Sequence, residues 1–172
     1  MLDDEGHTAD RLRSGEVLAA VTADPQPVQG CRTIALGALR YVACASPDFA
    51  ARHFGEGVNA ATLSKAPLLR FDRRDGVQAR WASEAHGVVL EGPTHWIPST
   101  YGFLDLARAG LAWGMQPLTL AEAHIVAGRL IELPPARRVD VKLYWTIARL
   151  PSAMVRRLTD AVRTAAARHL AQ

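Results

Sequence analysis

Apolar residues in this chain come in short runs separated by polar turns, and between those runs they recur every three or four positions. Two periods in alternation read as strands interleaved with helices, an α/β chain with a mostly parallel sheet. A helix is predicted over Thr8 to Ser14, with Ala9 and Leu12 inward and Gly15 as its stop. Val17 to Val21 follows as a buried strand, and Asp24-Pro-Gln-Pro27 as a rigid turn. Arg32 to Leu36 and Leu39 to Ala45 form two further strands joined at Gly37. Ser46-Pro47 opens a helix to about His53, because Ser caps and Pro is preset for the first helical position. Asn59 caps a shorter helix, Pro67 to Phe71 is a strand ending in the acidic turn Asp72 to Asp75, and Val77 to Ala85 is helical.

Pro93 to Pro117 condenses strand, cap, helix and strand into one stretch. Thr94 to Ile97 are β-formers, and Pro98 bars helix before it. Ser99 or Thr100 can cap a helix whose Phe103, Leu106 and Ala107 share one face, with Gly110 as its stop and Leu111 to Met115 as a buried parallel strand. Its free N–H groups and two hydroxyls suit a carboxylate; an ordinary capped crossover helix has the same pattern. Farther on, Thr119 to Glu122 reads as a capping box for a helix ended by Gly128, and Leu130 to Leu133 is a strand broken by Pro134-Pro135. Val139 to Ala148 is the strongest strand in the chain. Ser152 caps a last helix with Met154, Leu158, Ala161, Val162 and Ala165 inward and Arg156, Arg157, Arg163 and Arg168 outward. Changes of chain direction and composition near Ala45-Ser46 and Pro117 divide the chain into two lobes, 1–45 with 118–172 and 46–117.

With 172 residues, 49% of them apolar, the chain can bury one good core or two small lobes. A net charge of +3 with scattered arginines gives no nucleic-acid pattern, and only Lys65 and Lys142 are lysines. Cys31 and Cys44 have neither CxxC nor metal spacing and are expected as reduced core thiols. The polar, acidic start is no signal peptide and no apolar run approaches bilayer length, so the expectation is a soluble cytoplasmic protein without membrane contact. No two of the six histidines stand at metal-ligand spacing, and HExxH, GxSxG and glycine-rich phosphate loops are absent. Neither catalytic residue, metal nor cofactor is expected. Asp24, Asp72 and Asp75 follow strands, where open α/β folds bind ligands; turn formation explains aspartate there equally.

The blocks LRSGEVLAAVTADPQPVQGCRTIALGALRYVACASPDF (12–49), KAPLLRFDRRD (65–75), PSTYGFLDLARAGLAWGMQP (98–117), AGRLIELPP (127–135) and LYWTIAR (143–149) decide between these readings. Together they resemble the effector-binding domain of LysR-type transcriptional regulators, in the ArgP/LysG subgroup that senses basic amino acids. The resemblance implies a two-lobed fold of the periplasmic-binding-protein type (type 2), lacking its first strand–helix unit and the winged helix-turn-helix domain. It implies a non-enzymatic regulator of amino-acid export or metabolism genes, responding to lysine or arginine. Dimers or tetramers would form through this domain, and DNA would be contacted only by the N-terminal part. By position, the effector would meet Val21, Thr22 and Asp24 from one lobe and Phe71, Asp72, Pro98, Ser99 and Thr100 from the other. Ser99 and Thr100 would hold its α-carboxylate, and Asp24, Asp72 or Asp75 its side-chain cation. A stand-alone small-molecule binding module, or a remnant acting only by oligomerisation, are the alternatives.

Overall fold

Two long strands, β2 (Cys31–Ala45) and β7 (Val139–Ala148), organise the chain. The computed structural model describes residues 11–150 and 152–171, and these form two compact units. One ends at Leu39 and resumes at Asp140; the other is Arg40–Val139. The expected lobe boundary near 117 differs from this division. Residues 118–139 fall in the second unit because β5 (Gly114–Pro117) and β6 (Ile131–Glu132) both pair with the C-terminal part of β2.

In the first unit, β1 (Ala19–Thr22) lies antiparallel on β7, with Val21 opposite Trp145. The described part of helix α1 is 11–14, and its Leu12 packs with Val28 and Cys31; Thr8 to Asp10, with Ala9, lie outside the described residues. Helix α7 (Ala153–His169) packs Val155, Val162 and Ala166 against Leu36, Trp145 and Ile147. Two expectations fail here. The Val17 to Val21 run is not a buried strand but a half-buried one lying antiparallel on β7, and Val21 is 52% exposed. On α7, Met154 and Leu158 face outward, because the helix rolls onto Val155, Thr159, Val162 and Ala166 instead. Thr159 explains the roll: its Oγ1 accepts from Trp145 Nε1 at 3.2 Å and donates to Val155 O at 2.8 Å, so a polar residue sits comfortably inward.

The second unit holds α2 (Pro47–His53), α3 (Ala60–Leu63), β3 (Leu68–Arg70), α4 (Val77–His86), β4 (Thr94–Trp96), α5 (Thr100–Arg108), β5, α6 (Leu118–Val126) and β6. Ser46 and Asn59 cap α2 and α3 as the sequence predicts, the second through a capping box with Thr62. Thr119 does not cap α6, which already begins at Leu118 after Pro117. Among the described residues the β1–β7, β2–β5 and β2–β6 pairs are antiparallel, and β3–β4 and the Leu68–Trp113 bridge are parallel, so the mostly parallel sheet is corrected. Likewise Arg32 to Ala45 is one strand, not two: Gly37 takes φ 124° within β2 without ending it.

Trp81 and Trp113, ring centroids 5.3 Å apart, centre one core of this unit with Phe49, Leu63 and Leu133. A second core joins Val42, Cys44 and Leu69 to Phe103, Leu104 and Ala107 of α5. Both cysteines are free and buried. Burial, reinforced by the Glu132 carboxylate, pushes the Cys44 thiol up to about 12 from an ordinary 9.0. The folded chain thus prefers the neutral thiol. That contribution to stability is complete below pH 9.0 and is lost as pH climbs toward 12. Iodoacetamide at pH 8 is expected to spare Cys44 in the native protein and to label it in urea, as read by peptide mass; native labelling would contradict this.

Candidate functional site

Parallel pairing of β3 with β4 sets Arg70 beside Trp96, so Phe71 and Asp72 leave the strands at the same end as Ile97, Pro98 and Ser99. Ile97 N donates to Arg70 O at 2.9 Å and closes that end, while the Arg70 guanidinium lies 5.9 Å over the Trp96 ring. Ser99 N then donates to Ile97 O across Pro98 at 2.8 Å, and α5 begins. Five sequence-predicted residues, Phe71, Asp72, Pro98, Ser99 and Thr100, are therefore brought to one edge of the second unit.

The start of α5 is only partly satisfied. Ser99 Oγ accepts from Gly102 N at 3.2 Å, and Ser99 O from Phe103 N at 2.8 Å. The amides of Thr100 and Tyr101 have no hydrogen-bond partner among the described residues. Helix starts leave such donors open to an anion. Gly102 is a residue that sequence reasoning missed. A Cβ there would stand 3.2 Å from Ser99 Oγ and 3.3 Å from Ser99 Cβ, crowding the cap. The Ser-x-x-Gly spacing was its only signal.

The two aspartates of the acidic turn differ in occupation. Asp75 Oδ2 accepts from Phe71 N at 2.8 Å and from the buried Gln78 Nε2 at 3.0 Å, and its Oδ1 accepts from Val77 N at 3.2 Å. It latches the turn onto α4. Asp72 uses Oδ1, accepting from Arg74 N at 2.8 Å and Asp75 N at 3.0 Å, and among the described residues its Oδ2 has no hydrogen-bond partner. Of the two, Asp72 is the carboxylate with an oxygen to offer.

In the first unit Val21, Thr22 and Asp24 stand together at the end of β1. Thr22 Oγ1 accepts from Asp24 N at 3.0 Å, and Asp24 Oδ1 accepts from Gln26 N at 2.8 Å, a side-chain-closed turn. Among the described residues no group of three or more histidines, cysteines or acids could hold a metal ion, and no helix is long and apolar enough to cross a membrane.

Against known proteins, residues 2–167 match the model of the LysR substrate binding domain. The chain belongs to the LysR substrate-binding domain family. Among curated members, the HTH-type transcriptional regulator LysG of Mycobacterium bovis is 41% identical over 165 residues, covering 96% of this chain and 54% of LysG. The C-terminal domains of a LysR family protein from Agrobacterium tumefaciens superpose with a TM-score of 0.94 at 48% identity, over 98% of this chain and 82% of that one. ArgP from Mycobacterium tuberculosis gives 0.94 at 40%, over 100% and 59%. Full-length LysG from Corynebacterium glutamicum with bound effector Arg gives 0.87 at 36%, over 100% and 58%. This LysR-family chain spans about half the length of the curated relatives it matches. Those relatives are transcriptional regulators, and the effector-binding fold implied by the sequence blocks is the fold observed.

Proposed function

We propose that this LysR-family chain is the ligand-sensing domain of a cytoplasmic, non-enzymatic transcriptional regulator that responds to arginine or lysine and controls amino-acid export or metabolism genes. The observation that carries the reading is the bound Arg of the C. glutamicum LysG structure, similar over 100% of this chain. The chemistry of the second unit supports it. The open amides of Thr100 and Tyr101, with the Ser99 and Thr100 hydroxyls, suit an α-carboxylate. Asp72 Oδ2 suits the guanidinium or ammonium, by a charge-assisted hydrogen bond. Phe71 and Pro98 flank these groups, and Val21, Thr22 and Asp24 are assigned further effector contacts. Contact with DNA would belong to a helix-turn-helix part of a longer protein, and assembly would be as a homodimer or tetramer.

Calorimetric titration of two variants tests the assignment. Asp72→Ala is expected to weaken arginine and lysine by about 10- to 100-fold, the worth of a hydrogen bond to a charge. Ser99→Ala is expected to weaken every amino-acid effector and to cost about 1 kcal/mol of stability as a lost cap. Parent-like titrations of both variants would overturn the assignment.

A further inference from the structure

Helix α4 buries one polar side chain on its packed face. Gln78 is 1% exposed and shares that face with Trp81 and Ala82. Trp81 in turn stands against Trp113 in the core. An apolar side chain would suit the position with no polar atom to satisfy, and a buried amide costs free energy unless it is bonded. Among the described residues Gln78 makes one side-chain hydrogen bond, from Nε2 to Asp75 Oδ2 at 3.0 Å, and its Oε1 makes none. Packing therefore does not account for the glutamine. What it supplies is the bond to Asp75.

Asp75 passes that anchorage to the acidic turn. α4 has Gly76 at its N-cap and no side-chain cap, and Asp75 Oδ1 accepts from Val77 N at 3.2 Å in its place. Asp75 Oδ2 accepts from Phe71 N at 2.8 Å, just past the end of β3. One carboxylate thus ties strand end, helix start and core together. Asp75 also reaches Asp72 through its main chain: its N–H donates to Asp72 Oδ1 at 3.0 Å, beside that of Arg74 at 2.8 Å. The two amides restrain the rotation of the Asp72 carboxylate, and because both meet Oδ1, Oδ2 is the oxygen kept for a ligand.

We infer that Gln78 is a positioning residue for effector binding: through Asp75 it holds the Asp72 carboxylate ready for the side-chain cation of arginine or lysine. The inference rests on the sensing role proposed above and adds to it a buried residue that acts through two others. A turn left to itself samples many orientations. Only the fraction of chains with the carboxylate correctly aimed can bind, and apparent affinity falls with that fraction. Anchored through Gln78, the carboxylate takes its reference from the Trp81–Trp113 core and not from the exposed Arg73 and Arg74 of the turn. Asp75 gives both its oxygens to the fold, and Asp72 can then keep one.

Calorimetric titration of L-arginine and L-lysine into the parent chain, Gln78→Met, Asp72→Ala and the double variant tests the inference. Methionine keeps the length of the side chain and removes both Nε2 and the unbonded Oε1, so the fold should hold while the anchor is lost. Gln78→Met is expected to weaken both ligands about fivefold in the parent chain. Once Asp72 is alanine it should weaken them no further, because a residue acting through Asp72 then has nothing left to position. Hydrogen exchange should quicken at the Phe71 and Val77 amides, which end on Asp75, and stay parental at Gly102 in the α5 cap. If Gln78→Met does not fold, Asp75→Asn, which keeps the shape and gives up an acceptor, takes its place in the cycle. Parent-like affinity in Gln78→Met would overturn the inference and leave the sensing role standing. So would an equal loss with and without the Asp72 carboxylate, the mark of a purely structural residue. A parent chain that binds neither amino acid would instead overturn the sensing role, and this inference with it.

Discussion

Trp81→Ala is expected to destabilise the protein by about 3–5 kcal/mol, a large share of the 5–15 kcal/mol that a domain commonly has. Trp81 is fully buried; its ring stands 5.3 Å from Trp113 and 5.1 Å, edge on, from His86. Alanine would leave a cavity that Phe49, Leu63 and Leu133 cannot collapse to fill, because each is itself buried in the same cluster. At roughly 2–4 °C per kcal/mol the melting temperature should fall by about 10 °C. Urea denaturation followed by circular dichroism measures it. Trp81→Phe separates packing from polarity. The indole Nε1 is buried without a hydrogen-bond partner among the described residues, so phenylalanine removes an unsatisfied donor while keeping most of the ring. Its cost should be well below that of alanine, and an equal cost would mean that the indole edge is bonded in solution.

Gly114→Ala should cost about 1–3 kcal/mol by the opposite mechanism, overpacking. A Cβ at Gly114 would come 2.5 Å from Phe103 Cε1, 2.9 Å from Phe103 Cζ and 3.2 Å from Leu69 Cβ. Phe103 is the inward anchor of α5, so the helix that presents Thr100 and Tyr101 must shift or β5 must yield. Denaturation of Gly114→Ala, Phe103→Leu and the double variant forms a thermodynamic cycle. The double variant should be more stable than the sum of the single losses implies, because leucine vacates the space that the new methyl needs. Simple additivity would show that Phe103 is not what the glycine accommodates.

Local chemistry was readable from the residues alone. Ser46-Pro47, Asn59 and Ser99 each cap the helix they were expected to cap, and Val139–Ala148 is the strand its β-branched and aromatic run predicts. Pairing sense was not, because antiparallel β2–β5 and β1–β7 ladders depend on partners seventy or more residues away, about which a local apolar run such as Leu111 to Met115 is silent. The face of α7 was misread for a related reason. Met154, Leu158, Ala161 and Ala165 match the helical period as well as Val155 and Ala166 do; Val162 is inward as expected, and the indole of Trp145, reaching Thr159, lies on the face that packs. At the candidate site the sequence blocks brought Phe71, Asp72, Pro98, Ser99 and Thr100 into view. They did not reveal that Asp75 is consumed in holding Phe71, Val77 and Gln78, since that division of labour between two aspartates exists only in the folded turn.

A thermal melt of the chain with and without millimolar L-arginine or L-lysine, with L-leucine and L-glutamate as controls, tests the sensing role most directly. Ligand at a hundredfold over its dissociation constant adds about 2.7 kcal/mol, which moves a domain of this size by several degrees. A cooperative melt raised by arginine or lysine and unmoved by the controls is the expected result. A cooperative melt that neither basic amino acid shifts would contradict the sensing role.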